Sequence, residues 1–583
     1  TQRWLVHVLA ITVTATYVMW VALLTIDVGA YQCGARPTCY TGRPWLEFLS
    51  AFDDEVGRRL VLAALVPVTL LFGFLWLSHR SRDRYDMWRA DTQAESVVYG
   101  SDPPPLTEER FWHQSEFITS LARVHFGVAM AALAGCLAYA MWRFSATFAK
   151  GGTVVAGKWL LGLAAHVVAI GLIAIALMLR TPDPKRRESE HRMVDRATRL
   201  TFWGSIVVMV ATLGFVGTLR VSDRYITLST SAADDLWGFG WLTFGLIGFG
   251  LALLLALTLV QLVRWGLDHQ VDLGQLIVPV SFLAVAWWPN WWVLATVTVF
   301  VILINFVSGL RGADSHTGKE RDTSGWMPIA VFYVVAGAGL LLGASWFAAA
   351  AMMSLIMATY EWAASSRNHE TFRWFGTAAA GAVGLLGLTG VLAGVSLRLV
   401  DLLEVGDVQL RIPAATEWIS LAAFFATVAA WTAGALYVLG TWSRWRTEVF
   451  AEEKRKAKEQ KRYQSDYDTR SAVRWQVLAR ATRSIDVLIT VYAMLLFSAT
   501  FAGIGVLWWR EGVPVRSWLD HGVGAGMQTW LVVASWAEVL YIGVAYWMVR
   551  SALRDEGWRR RLGMIWDVAS FWPNRYHPFA PPA

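Results

Sequence analysis

The stretch Trp159-Leu-Leu-Gly-Leu-Ala-Ala-His-Val-Val-Ala-Ile-Gly-Leu-Ile-Ala-Ile-Ala-Leu-Met-Leu179 runs for 21 residues without a charged side chain. As an α-helix, at about 1.5 Å per residue, it is about 31 Å long, the thickness of a bilayer's hydrocarbon core. Comparable apolar runs lie on either side of it, at 4–28, 60–77, 121–142, 200–218, 237–263, 275–288, 291–310, 326–344, 346–362, 375–397, 417–441, 484–509 and 525–549. The chain of 583 residues is 56% hydrophobic and only 16% charged, whereas soluble domains carry about 25% charged residues. These features predict an all-α, polytopic helical membrane protein with about 14 transmembrane helices, its transmembrane domain covering 1–549.

Two of the runs need a turn to be read this way. The segments 275–310 and 326–361 are each too long for one crossing, so each reads as a hairpin. Trp287-Trp288-Pro289-Asn290-Trp291-Trp292 supplies a Pro-Asn turn between interfacial tryptophans. The second break, near Gly343-Ala344-Ser345-Trp346, is less marked. A kinked long helix or a re-entrant segment at either place gives 12 or 13 spans.

With the N-terminus inside and 14 spans, 37 Lys and Arg side chains fall on the N-terminal side of the membrane and 13 on the other. Basic residues mark the cytoplasmic side, so both termini are expected in the cytoplasm, with the chain in the cell membrane. The net charge of +7 then reflects topology, and no nucleic-acid partner is implied. The partners implied by composition are membrane lipids.

This orientation puts Cys33 and Cys39 outside, where a disulfide across a short loop can persist. The alternative is a pair of free thiols, and Cys-x5-Cys without nearby histidines is poor zinc spacing. Cys136 lies in an apolar run and reads as a packing residue. On the inside, 443–483 reads as a charged helical insertion, with Glu452 and Glu453 ahead of Lys456 at helical spacing. It is either a solvated helix facing lipid headgroups or a docking surface. Residues 550–583 form a cytoplasmic C-terminal segment. The linker 79–120 contains the stiff stretch Ser101-Asp-Pro-Pro-Pro105.

Intramembrane polar residues carry whatever chemistry the spans hold. Glu538, in Ser535-Trp-Ala-Glu538-Val-Leu-Tyr541, lies near the middle of the last span. A carboxylate at that depth requires a proton, a partner or a wet cavity. It is therefore a candidate proton or cation site; the plainer reading is a neutral Glu bonded to a neighbouring helix. His166, His125 and His7 could join it in a proton path, although each alone is commonly an interhelical hydrogen-bonder. Asn305 and Gln261 suit the same gluing role, and Asp486 suits a helix start. Gly381, Gly384, Gly387, Gly390 and Gly394 share one helix face and read as a packing seam rather than a gate. The 34 Trp residues cluster at span ends as an aromatic belt.

The chain shows no phosphate-binding lysine loop, no His-Glu-x-x-His, no Gly-x-Ser-x-Gly elbow and no haem-attachment pair. No catalytic residue, cofactor or metal is implied.

Three stretches carry a family resemblance: Asp27-Val-Gly-Ala-Tyr-Gln-Cys-Gly34 with Cys39, Gly57-Arg-Arg-Leu-Val-Leu-Ala-Ala-Leu-Val-Pro67, and Ile565-Trp-Asp-Val-Ala-Ser-Phe-Trp-Pro-Asn-Arg-Tyr-His-Pro-Phe-Ala-Pro-Pro582. Together they resemble a family of large actinobacterial polytopic integral membrane proteins. The resemblance implies a soluble portion before the first span and a cytoplasmic α/β-hydrolase-like region after the Pro-rich exit. These residues would then be the membrane core of something longer, and no catalytic residue carries over. Three functions are expected on these grounds. The first is a membrane scaffold anchoring a lipid-related hydrolase region or another soluble partner at the cytoplasmic face. The second is a proton-coupled secondary transporter or lipid flippase using Glu538. The third is an accessory subunit of a membrane complex.

Overall fold

The computed structural model describes residues 2–44, 46–52, 55–93, 115–148, 152–179, 187–218, 236–269, 381–404, 410–428 and 527–554, with isolated positions between 447 and 523. The chain is an all-α helical membrane protein. Among the described residues there is no strand, and seven helices are long and apolar enough to cross a membrane by length and composition. The expected spans at 275–288, 291–310, 326–344 and 346–362 lie outside the described residues. So do Asn305, Asp486, most of 443–483 and 484–509, and everything beyond Arg554.

The elements in chain order are α1 (Gln2–Ala22), a π-helical continuation (Leu23–Cys33), α2 (Pro37–Tyr40), a 3-10 turn (Glu47–Phe52), α3 (Val56–Gln93), α4 (Ser115–Phe148), α5 (Gly152–Met178), α6 (Arg187–Gly217) and α7 (Phe239–His269). A second π-helical stretch (Val383–Gly387) leads into α8 (Leu388–Leu403). The apolar helix α9 (Ala415–Val428) and α10 (Gln528–Arg554) follow. The chain divides into two compact units. Unit 1 holds Thr1–Val260, Ser396–Thr416 and Leu519–Gly522; unit 2 holds Gln261–Val395, Glu417–Trp518 and Val523–Ala583.

Unit 1 is built around α4, which packs against α1, α3, α5 and α6. Of its crossing segment, 83% is buried within the protein, against 28% for α5 and 33% for α6. Met130, Leu133 and Leu137 form its fully buried side. Lipid is as apolar as leucine, so these helices gain little by hiding apolar surface from one another; close packing decides which faces meet. Gly127 permits one such approach: a Cβ there would sit 2.7 Å from the Thr201 methyl and 2.8 Å from its carbonyl oxygen. The outward faces carry Trp159, Leu163 and Ile173 on α5 and Trp203, Val207 and Val210 on α6. In water they would form an aggregating patch; in a bilayer they face their solvent.

The first crossing extends past the expected 4–28 to Cys33, and its last part widens into a π-helix. Side-chain bonds hold that part. Asp27 Oδ1 accepts from the Leu236 backbone N–H at 2.8 Å and from Gln32 Nε2 at 3.1 Å. Gln32 in turn clasps Arg411, accepting from its N–H at 2.7 Å and donating to its carbonyl at 2.8 Å. The Cys33 and Cys39 sulfurs follow at bonding distance, 1.99 Å. Arg43 then donates to the carbonyls of Leu402 and Leu403 at 2.7 and 2.9 Å. That places a cation at the negative end of α8.

In unit 2 three glycines of the expected seam pack. Gly390 lies against Ala423 of α9, Gly387 against the Tyr492 hydroxyl, and Gly394 against the Glu538 side chain. The Thr389 hydroxyl donates back to Leu385 and Leu386 carbonyls, meeting some of the backbone acceptors that the π-helical turn rearranges.

Candidate functional site

Glu538 sits on α10 with 1% of its surface exposed. A buried carboxyl inside a bilayer is costly unless its oxygens find donors. One does: Ser420 of α9 donates to Oε2 at 2.8 Å. The other oxygen, Oε1, is buried and has no hydrogen-bond partner among the described residues. The seat exists because α8 presents Gly394 there, where a Cβ would overlap the carboxylate itself. Three helices thus supply one element each: α10 the acid, α9 the donor and α8 the vacant volume.

Two phenols lie within electrostatic reach of Glu538: Tyr541, nearly one turn further along α10, and Tyr492. The Tyr492 hydroxyl is hydrogen-bonded to Thr427 Oγ1 of α9 at 3.1 Å. Glu538 with Ser420, and Tyr492 with Thr427, thus form two hydrogen-bonded pairs. Their chemistry is limited but definite. A carboxyl can hold or release a proton, and hydroxyls can relay one. Among the described residues no cluster of three or more His, Cys, Asp or Glu side chains could hold a metal.

The three candidate histidines belong to unit 1. His125 and His7 come within electrostatic reach of each other in unit 1, and His125 Nδ1 is hydrogen-bonded to Thr14 Oγ1 at 2.9 Å. His166 is exposed on α5, with Nδ1 at 2.7 Å from the Gly162 carbonyl of its own helix. It joins neither His125 nor His7 in any hydrogen bond. Asn305 lies outside the described residues.

Ser420, Tyr492, Tyr541 and Thr14 were not singled out from the sequence. Ser420 looks like one more small residue in an apolar run, and only the three-dimensional pairing with Glu538 reveals its use. Gly394 was read as packing; what it packs against is the carboxyl. Comparison with protein-family models, with curated proteins and with solved structures finds no match.

Proposed function

We propose that this integral membrane protein exchanges a proton at Glu538 during its working cycle, as expected of a proton-coupled transporter or flippase. One observation carries the reading: a fully buried carboxyl with one oxygen held and the other without a partner among the described residues. Buried polar atoms that serve only structure are almost always satisfied. An unsatisfied oxygen in a low-dielectric seat marks a group whose protonation the surroundings have left adjustable. Tyr541 and Tyr492 lie within electrostatic reach of Glu538, and Ser420 donates to it, so hydroxyls stand beside the acid. Seven apolar helices of crossing length among the described residues support the membrane setting.

The test is infrared spectroscopy of the purified protein in lipid nanodiscs. Wild type is expected to show a carboxylic-acid C=O band that shifts on transfer to heavy water and titrates reversibly with pH. Glu538→Gln is expected to lack that band. A Glu538 band insensitive to both heavy water and pH means a locked proton, and the reading fails. Glu538→Gln reconstituted in proteoliposomes then reports which transport, if any, depends on the exchange.

A further inference from the structure

Glu538 is 1% exposed, so a proton reaches it only when its seat opens. Of the three helices that build the seat, α9 and α10 are α-helical throughout their described length. The third is not: α8 is entered through the π-helical turn Val383–Gly387, where the Leu388 N–H donates to the Val383 carbonyl, five residues back instead of four. Such a turn holds one residue more than the α-helix around it, and single π-turns recur at functional sites. It lies in Gly381-Ala-Val-Gly-Leu-Leu-Gly-Leu-Thr-Gly390, where glycines weaken the helix and leave few side chains to swing past a neighbour. The Thr389 hydroxyl, donating to the Leu385 and Leu386 carbonyls, holds the turn where it is.

Closing the π-turn in place and re-forming it beyond Gly394 advances the residues between by one position, about 100° of rotation and about 1.5 Å of rise. Leu386 then stands where Gly387 meets the Tyr492 hydroxyl, Thr389 where Gly390 meets Ala423, and Ala393 where Gly394 meets Glu538. Two of those places have no room for a Cβ, which would overlap the Ala423 methyl at one and the Glu538 carboxyl at the other. The advanced register and a seated Glu538 therefore exclude each other. We propose that the π-turn of α8 is a register switch: it migrates along the glycine face, and its passage turns the Glu538 carboxyl out of its seat to exchange its proton. The proposal rests on proton exchange at Glu538 and adds the part that moves. A proton that favours the seated acid also holds α8 in its present register, because the coupling is reciprocal. Register shifts of helices fall in the μs–ms range.

The test is the rate at which the Glu538 carboxylic-acid band shifts after transfer to heavy water, followed in the whole protein in lipid nanodiscs. Deleting Gly384 removes the extra residue, turns the π-turn into α-helix and keeps the register from Gly387 onward. The seat stays, but nothing is left to migrate. The band is expected at its wild-type position with exchange at least about tenfold slower. Thr389→Val removes the hydroxyl that holds the turn and should speed exchange about fivefold, the weight of one net hydrogen bond. Thr389→Ser keeps the hydroxyl and should exchange like wild type. A turn with a merely structural role gives another pattern, since loosened packing speeds exchange in every variant. Exchange as fast as wild type or faster with Gly384 deleted overturns the switch and leaves proton exchange at Glu538 standing. If the deletion prevents folding, the Thr389 pair decides: equal rates for Thr389→Val and Thr389→Ser overturn the switch. A wild-type band that never exchanges overturns the switch together with the reading it rests on.

Discussion

Asp27 and Glu538 are both carboxyls and both 1% exposed, Asp27 in the first crossing segment and Glu538 on the shorter apolar helix Gln528–Val544. They differ in what meets their oxygens. Asp27 accepts from a backbone N–H and from the Gln32 amide, and Gln32 is itself anchored on both hydrogen-bonding groups of Arg411. Glu538 has Ser420 on one oxygen and, among the described residues, no partner on the other. Burial alone therefore says little about what an intramembrane acid does. The accounting of its donors separates a clasp from an exchangeable site.

The comparison breaks most visibly at Asp27. Asp27→Ala leaves the buried Leu236 N–H and one Gln32 amide hydrogen without that acceptor, and hydrogen bonds to a charged group contribute about 1.5–3 kcal/mol each. We expect a loss of about 3 kcal/mol, read as a lowered midpoint in thermal unfolding in detergent. Asp27→Asn keeps an acceptor oxygen at the same place and should lose about 1 kcal/mol. If both variants unfold like wild type, the clasp does not hold the π-helical segment and the contrast with Glu538 collapses.

Gly394→Ala is the next largest effect. The added methyl would overlap the Glu538 carboxyl, and overpacking of this kind costs about 1–3 kcal/mol. A loss of about 2 kcal/mol is expected from the single change. The double variant Gly394→Ala/Glu538→Ala should recover most of it, because the volume the methyl needs has been vacated. Additive losses in the double-mutant cycle would mean that Gly394 and Glu538 do not share a seat.

These two carboxyls also show how far the sequence could be read. The helical membrane class was legible because uninterrupted apolar runs permit little else. Glu538 was legible because a lone acid in such a run is conspicuous. Asp27 was not singled out as a site: it stands beside the polar, cysteine-containing loop and looks like part of a span exit. Its burial depends on Leu236, Gln32 and Arg411, two of them some 200 and 400 positions away in the chain. The same holds for Ser420, whose hydroxyl would ordinarily bond its own helix. The expected gathering of His166 with His125 and His7 rested on residue type alone, and helix rotation, which decides where an imidazole points, is not encoded in composition. His166 turns out to bond its own helix from an exposed position.

The smallest expected effect sharpens the comparison most. Glu538→Gln replaces a carboxyl by an isosteric amide that can still accept from Ser420 through its carbonyl oxygen. Its NH2 group takes the place of an oxygen that has no partner among the described residues, so no bond shown there is lost. We expect stability within about 1 kcal/mol of wild type, and Ser420→Ala to cost no more than about 1–2 kcal/mol by leaving Oε2 unpaired. A clasp behaves differently, since removing its acid undoes several bonds at once. Near-neutral stability of Glu538→Gln, together with loss of the titrating carboxyl band, is the signature of a group kept for exchange. If Glu538→Gln instead unfolds as readily as Asp27→Ala, Glu538 is holding the helices together, and both buried carboxyls belong to the architecture.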